Sequence, residues 1–324
     1  MVVGLFVVCS GLYFAPNGTP RHICKRVDGT TCITTMDFAK GEEPLSLYVW
    51  YSWQPTYQYV QMMASFIGLT RKLERKYVTV QDARNLCESP QESWRKRGFA
   101  LLNMPIEVQD YHSKDGQAFY AEQVVTTLRQ LFPNARSISL GETSYRFQRG
   151  RFQYRIAGTK SVTVGAPHLD MEPNWTKRVE FEEREDLLTP DGSVPDVVVG
   201  VWKPISMTAP ICDNPLAVLD ASNWTETDAV AMSLTAERPI TDLQDGVIKR
   251  KHTELFRLSS ISLKWREYHK WWYFSNMTNE DVLVFTHYTK RKPSRVNPHT
   301  SIFFGDCGDH PQRVSIEARV VIKL

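Results

Sequence analysis

No Cys-x-x-Cys pair occurs in the 324 residues, which argues against a zinc ribbon or a dithiol redox motif. The six cysteines, Cys9, Cys24, Cys32, Cys87, Cys212 and Cys307, are scattered. In a chain of this length they read as reduced, partly buried thiols rather than as a disulfide framework. Neither sign of charge is in excess: 39 basic residues face 36 acidic ones. No global field therefore argues for nucleic acid or an anionic membrane, and neither is expected as a partner. The local run Lys290, Arg291, Lys292 and Arg295 reads as a solvated loop. Internal repeats and low-complexity stretches are also lacking.

A long apolar run is missing as well. From Met1 to Pro16 there is no charged side chain, and Val2, Val3, Leu5, Phe6, Val7 and Val8 cluster. That stretch is too short to span a bilayer, and it lacks a basic leader and a small-x-small cleavage site. An N-terminal strand is the alternative to a secretion signal. Asn17-Gly18-Thr19, Asn174-Trp175-Thr176, Asn223-Trp224-Thr225 and Asn276-Met277-Thr278 fit the glycosylation pattern and keep secretory entry open. A glycan on Asn174 would nevertheless crowd Asp170, so a cytoplasmic location is expected.

What the chain does have is enough apolar sequence for a core: 42% hydrophobic against 23% charged, well outside the disordered range. The expected organisation is an N-terminal extension over residues 1–77 and one catalytic domain over 78–324. Val78-Thr79-Val80, Arg97 to Leu102, Ser161 to Val164, Val197 to Pro204, Leu216 to Asp220, Tyr268 to Phe274 and Val282 to Tyr288 read as strands. So do the segments entering at His299 and Arg313. Between Phe119 and Phe132 the apolar positions follow helical spacing, and Pro133 stops the run. That helix is expected to pack its stripe on the outside of a barrel. Arg178 to Leu188 is acidic and helix-prone, and the aromatic cluster Tyr48 to Tyr59 reads as packing. From Ser161 onward the strands number about seven, near the usual eight, and make the fold class β-rich α+β, with a double-stranded β-helix (jelly-roll, cupin-like) core and flanking helices.

Chemistry concentrates at His168-Leu169-Asp170. Side chains alternate faces along a strand, so His168 and Asp170 point the same way while Leu169 points into the packing behind them. One imidazole and one carboxylate on a face, completed by the distant His299, form the donor set of a facial triad for Fe(II). His269 and His287 compete with His299 as the distal ligand. Arg313, with Ser315 beside it on one strand face, suits the far carboxylate of a 2-oxo acid. Arg319 shares that face and competes with Arg313 as the anchor. Trp202, Trp271 and Trp272 read either as lining of a small-molecule pocket or as core.

The stretch from Val78 to Leu324 resembles the hydroxylase/desaturase family of fungal and bacterial secondary-metabolite clusters (aspergillic-acid-cluster type), which is related to the cephalosporin methoxylase subunit. The segments that carry the resemblance are Arg97-Gly98-Phe99, His168-Leu169-Asp170, Val201-Trp202-Lys203-Pro204, Asn214-Pro215-Leu216-Ala217 with Asp220, and His269 to Phe274. They continue through Met277 with Asp281, Pro298-His299-Thr300 and Arg313 to Arg319. Departures from the family pattern are Lys203 where arginine is usual, Val314 where glutamate is usual, and Thr289 where an acidic residue usually follows the tyrosine matching Tyr288. The resemblance implies a non-haem iron hydroxylase or desaturase that uses Fe(II), 2-oxoglutarate and dioxygen on a small-molecule intermediate of secondary metabolism. In that scheme His168, Asp170 and His299 hold the metal, and Arg313 and Ser315 anchor 2-oxoglutarate. The alternatives are an iron oxidase that needs no 2-oxo acid and an inactive cupin-like binding protein.

Overall fold

Val197 to Pro204 and Leu216 to Leu219 are almost continuously apolar, the pattern of strands covered on both faces, and both lie wholly buried in the fold. The computed structural model of the chain describes residues 25–26, 31–41, 45–49 and 73–324, apart from 107, 109, 112, 148–159, 162–165, 172–186, 206, 213, 245–246, 292–294 and 303–312. In chain order the strands are β1 (Lys25–Arg26), β2 (Thr31–Ala39), β3 (Leu45–Val49), β4 (Leu73–Asp82), β5 (Phe99–Asn103), β6 (Ser137–Phe147), β7 (Lys160–Ser161) and β8 (His168–Leu169). They continue as β9 (Val197–Pro204), β10 (Leu216–Leu219), β11 (Ala229–Gln244), β12 (Val247–Leu263), β13 (Trp271–Tyr273), β14 (Asp281–Thr289), β15 (His299–Ser301) and β16 (Val314–Lys323). Among the described residues two α-helices, α1 (Pro90–Arg97) and α2 (Lys114–Leu128), flank them.

The strands form a ten-stranded and a six-stranded sheet. Within the first, β13, β10, β15 and β8 are consecutive antiparallel neighbours; within the second, β14, β9, β16 and β6 are. These two four-stranded layers are the jelly roll, or double-stranded β-helix, that the sequence pattern predicts. The expected helix packs outside it: Tyr120, Val124 and Leu128 of α2 meet Val199 and Val201 of β9 and Ile316, Ala318 and Val320 of β16 in one apolar cluster. Behind the other layer, Leu169, Ala217 and Leu219 pack with Phe38, Val80 and Trp271.

Strands from the first 77 residues belong to the same sheet. β2 pairs with β4 over its whole length, β4 pairs with β13, and β4 runs across positions 77 and 78. Arg97 to Leu102 is not one strand as expected. Arg97 ends α1, whose start is fixed by a capping box at Ser89 and Glu92, and Gly98 caps its end at φ 80°. A side chain at Gly98 would also meet Asn297 Oδ1 at 2.8 Å. The thiol reading is corrected too: Cys32 and Cys212 are disulfide-bonded, while Cys87 is free and exposed. Disulfide geometry depends on which backbones the sheets bring together, and linear spacing does not report that. The acidic stretch Arg178 to Leu188 falls mostly outside the described residues, as do Asn17, Asn174 and most of Tyr48 to Tyr59. Among the described residues no helix is long and apolar enough to cross a membrane.

Candidate metal centre

β15 and β8 are antiparallel neighbours, and their register sets His299 directly opposite His168. Residues opposite one another on antiparallel strands share a face, so the two imidazoles meet, with ring centres 4.5 Å apart. Leu169 turns the other way and is fully buried in the packing behind. β8 ends at Leu169, and the chain bends at Asp170, yet the carboxylate returns to the same face: His168 Nε2 lies 3.4 Å from Asp170 Oδ1, and His299 Nε2 lies 3.9 Å from Oδ2. One donor atom from each of the three residues falls within 4.8 Å of the others.

The backbone orients both rings. His168 Nδ1 lies 2.8 Å from the carbonyl of Ala166, and His299 Nδ1 lies 3.3 Å from that of Asn297. A carbonyl only accepts, so each Nδ1 donates and each Nε2 lone pair is left toward Asp170. Two such imidazoles and a carboxylate suit a first-row divalent metal, and the outward hydrogen bonds are those that fix a ligating histidine. Burial lowers His299 to about 3, helped by His168. Burial pushes the Asp170 carboxyl up, but the charge of the Arg319 guanidinium beside it outweighs this and holds Asp170 well below the usual carboxylate range.

The facing layer supplies a polar row. β16 pairs with β9 so that Ser315 lies opposite Pro204, Glu317 opposite Trp202 and Arg319 opposite Gly200. Arg313, Ser315 and Glu317 are buried. Arg319 Nη2 donates to Asp170 Oδ2 at 2.9 Å, so Arg319 holds the triad carboxylate. Arg313 lies elsewhere: its Nη1 donates to the carbonyl of Asn214, and its guanidinium sits 5.3 Å from the centre of the Trp202 ring. Asn214 holds a left-handed φ of 49° there.

Of the rival histidines, His269 is remote from the triad. It joins Arg266 and Tyr268 around the buried Asp228, and burial lowers its pKa. His287 is close. β14 shifts register against β9 between Thr286 and Tyr288, which leaves His287 as the extra residue of a β-bulge. Its Nε2 lies 3.9 Å from Asp170 Oδ2 and 3.8 Å from Glu317 Oε1. Burial lowers it to about 4. The sequence reading missed Glu317, although the two-residue period Arg313, Ser315, Glu317, Arg319 carries it onto the same face. Trp202 and Trp271 are buried in packing, and Trp272 sits against Arg97. Lys203, where the resemblance leads one to expect arginine, points out of the barrel and donates Nζ to the carbonyls of Met104, at 2.9 Å, and Asn279.

A family model described as "YDMC: Oxidoreductase/YMDC permease-like domain" matches residues 41–323. The chain belongs to this family. Among curated proteins, the family member described above is 24% identical over 271 residues to the "Hydroxylase/desaturase efuI" of Hormonema carpetanum, covering 79% of this chain and 86% of that one. Among solved structures it is similar to the "iron and alpha-ketoglutarate-dependent endoperoxidase NvfI", with a TM-score of 0.63 and 19% identity over 91% of this chain and 99% of that one. A second conformation of the same protein gives a TM-score of 0.64 over 91% and 98% of the two chains. Those structural likenesses establish the shared fold.

Proposed function

We propose that the chain is a non-haem Fe(II)/2-oxoglutarate oxygenase, a hydroxylase or desaturase acting on a small-molecule intermediate of secondary metabolism. The observation that carries this reading is the pair of imidazoles locked by backbone carbonyls with both Nε2 atoms facing Asp170. The printed description of the curated relative, hydroxylase/desaturase, and that of the solved neighbour, iron and alpha-ketoglutarate-dependent, support it.

In this reading His168, Asp170 and His299 would hold Fe(II). The metal, when bound, supplies activation of dioxygen coupled to oxidative decarboxylation of the 2-oxo acid. The chain's own residues position and insulate. Arg313, fixed by Asn214 and Trp202, presents a buried guanidinium to the distal carboxylate, with the Ser315 hydroxyl on the same strand face. Arg319 keeps the Asp170 carboxylate ionised and oriented. Phe285, whose ring centre is 4.8 Å from that of His299, covers the inner side of the triad and keeps bulk water off the ligands. The disulfides at Cys32 and Cys212 favour an oxidising compartment over the cytoplasm.

The test is to add Fe(II) and then 2-oxoglutarate to the protein without oxygen and record the visible charge-transfer band of the chelate, with Arg313→Ala and Asp170→Ala alongside. The expected result is a band in the wild type, a weaker one in Arg313→Ala at equal cosubstrate, and no bound iron in Asp170→Ala. Bound iron with no band at any 2-oxoglutarate concentration would replace this reading with the oxidase or the inactive barrel.

A further inference from the structure

The bulge in β14 aims His287 into the barrel beside the triad, and the fold makes room for it. At Gly200, directly across β9, an added Cβ would lie 2.6 Å from His287 Nε2 and 2.6 Å from Phe285 Cζ. A side chain at 200 would displace the imidazole, so the glycine and the bulge together hold one ring in one place. His287 is 1% exposed, and neither ring nitrogen makes a hydrogen bond. A buried imidazole in that condition loses its hydration without replacement. Its Nε2 faces two carboxylates, Asp170 at 3.9 Å and Glu317 at 3.8 Å. One donor atom from each of the three lies within 4.8 Å of the others.

We infer that Asp170, His287 and Glu317 form a second, overlapping position for a divalent first-row cation, with Asp170 as the ligand common to both positions. The inference rests on the reading above in one respect, that Asp170 is a metal ligand. One imidazole and two carboxylates are a borderline nitrogen and oxygen set, suited to the same ions as the first triad. Charge decides how the two positions are used. Asp170, the carboxylate common to both positions, already accepts from the Arg319 guanidinium. Two divalent cations would repel across that one shared carboxylate in the buried interior. The positions are therefore alternatives for one cation. His168 and His299 complete one position on Asp170, and His287 and Glu317 complete the other.

The experiment is equilibrium dialysis with Co(II) on the full chain, with the metal per chain and the visible Co(II) spectrum recorded for wild type, His299→Ala, His287→Phe, and the double variants His299→Ala/His287→Phe and His299→Ala/Glu317→Gln. Circular dichroism and thermal melting establish that each variant is folded. The expected result is one equivalent in wild type and in each single variant, a changed spectrum in His299→Ala, and loss of cobalt in both double variants. Phenylalanine fills the volume of His287 beside Phe285, and glutamine keeps the size of Glu317, so the losses report ligands. The second position is overturned if folded His299→Ala binds no cobalt, or if the double variants keep what His299→Ala keeps. Should His287→Phe alone empty the protein while His299→Ala stays loaded, the second position stands and the triad assigned under the proposed function falls.

Discussion

Arg319 and Asp170 form the ion pair on which the centre turns: Nη2 donates to Oδ2 at 2.9 Å, and both side chains are largely withdrawn from solvent. β16 is the strand farthest along the chain and β8 lies in the opposite layer, so this pair ties the two sheets together at the site. The guanidinium occupies one carboxylate oxygen and leaves the other beside His168. Removing such an outer partner of a ligating group lowers metal affinity by about tenfold to a hundredfold. Arg319→Ala is expected to weaken Co(II) binding by that amount, with Arg319→Lys recovering part of it. A titration that finds Arg319→Ala unchanged would remove Arg319 from the centre.

Trp202 supports Arg313 from beneath. The indole is 1% exposed and lies 5.3 Å from the guanidinium carbon. A desolvated contact of this kind is worth about 2 kcal/mol, or about thirtyfold in an equilibrium constant. Trp202→Leu should therefore weaken 2-oxoglutarate binding by up to that factor, and Trp202→Phe by less because a ring face remains. Titration of the anaerobic charge-transfer band with 2-oxoglutarate measures both. Equal binding by all three proteins would show that Arg313 holds its place without the indole.

Gly200 should resist substitution for a stated reason. Its added Cβ would meet the His287 ring and the Phe285 ring at 2.6 Å each, and overpacking a dense interior costs about 1–3 kcal/mol. Gly200→Ala is expected to lower the unfolding free energy by that amount, measured by urea titration. In a His287→Ala background the cost should shrink, since one of the two collisions is gone, and should not vanish, since Phe285 remains. Additive effects of the two substitutions would place His287 away from Gly200.

The parts of this fold that the sequence makes legible are those where period and residue type agree. The all-apolar runs at Val197 and Leu216 are buried strands, and Val124, Val125 and Leu128 of the helical stripe face the barrel. His168 and Asp170 share a face because alternation is a local rule. The pairing of His168 with His299 is different: it depends on the register of β8 against β15, across a long stretch of chain, and local alternation does not report it; the entry of His299 into a strand ahead of Arg313, and the resemblance, are what point to it. The longest strands, β11 and β12, were missed. Arg238-Pro239 interrupts one pattern and Lys249-Arg250-Lys251-His252 the other, so neither reads as a half-buried strand. The Asp245-Gly246 dipeptide in the sequence between them is of a type that favours a hairpin turn. The roles of His287 and Arg319 were beyond local rules, because a bulge in one strand and a salt bridge between two sheets decide them.

Cysteine chemistry gives a direct check on compartment. Cys87 is an exposed free thiol, whereas Cys32 and Cys212 are disulfide-bonded. Maleimide added to the unfolded, unreduced protein should label Cys87 and leave Cys32 and Cys212 unmodified, and prior reduction should expose all three to labelling, as read by peptide mass spectrometry. Labelling of Cys32 and Cys212 before reduction, in protein taken from its natural host, would favour the cytoplasm over the oxidising compartment proposed above.

Lys203 carries a pH dependence of known sign. Its side chain is fully buried, and Nζ donates to the carbonyls of Met104 and Asn279. Burial lowers its pKa from 10.5 to about 8, with Asp281 and Glu280 opposing the shift. Below pH 8 the lysine is protonated in both folded and unfolded chains, and the cost of burying its charge is present in full. Between pH 8 and 10.5 the unfolded chain holds the proton while the folded chain releases it. The unfolded state then binds more protons, and stability from this group rises with pH. Other groups titrate in the same window, so the measurement is the difference in unfolding free energy between wild type and Lys203→Met from pH 7 to pH 10. Wild type is expected to gain on the variant above pH 8, by up to about 1.4 kcal/mol per pH unit. A flat difference would mean that the two carbonyls hold the ammonium charged throughout, and that the fold accommodates the cation at no cost that pH can relieve.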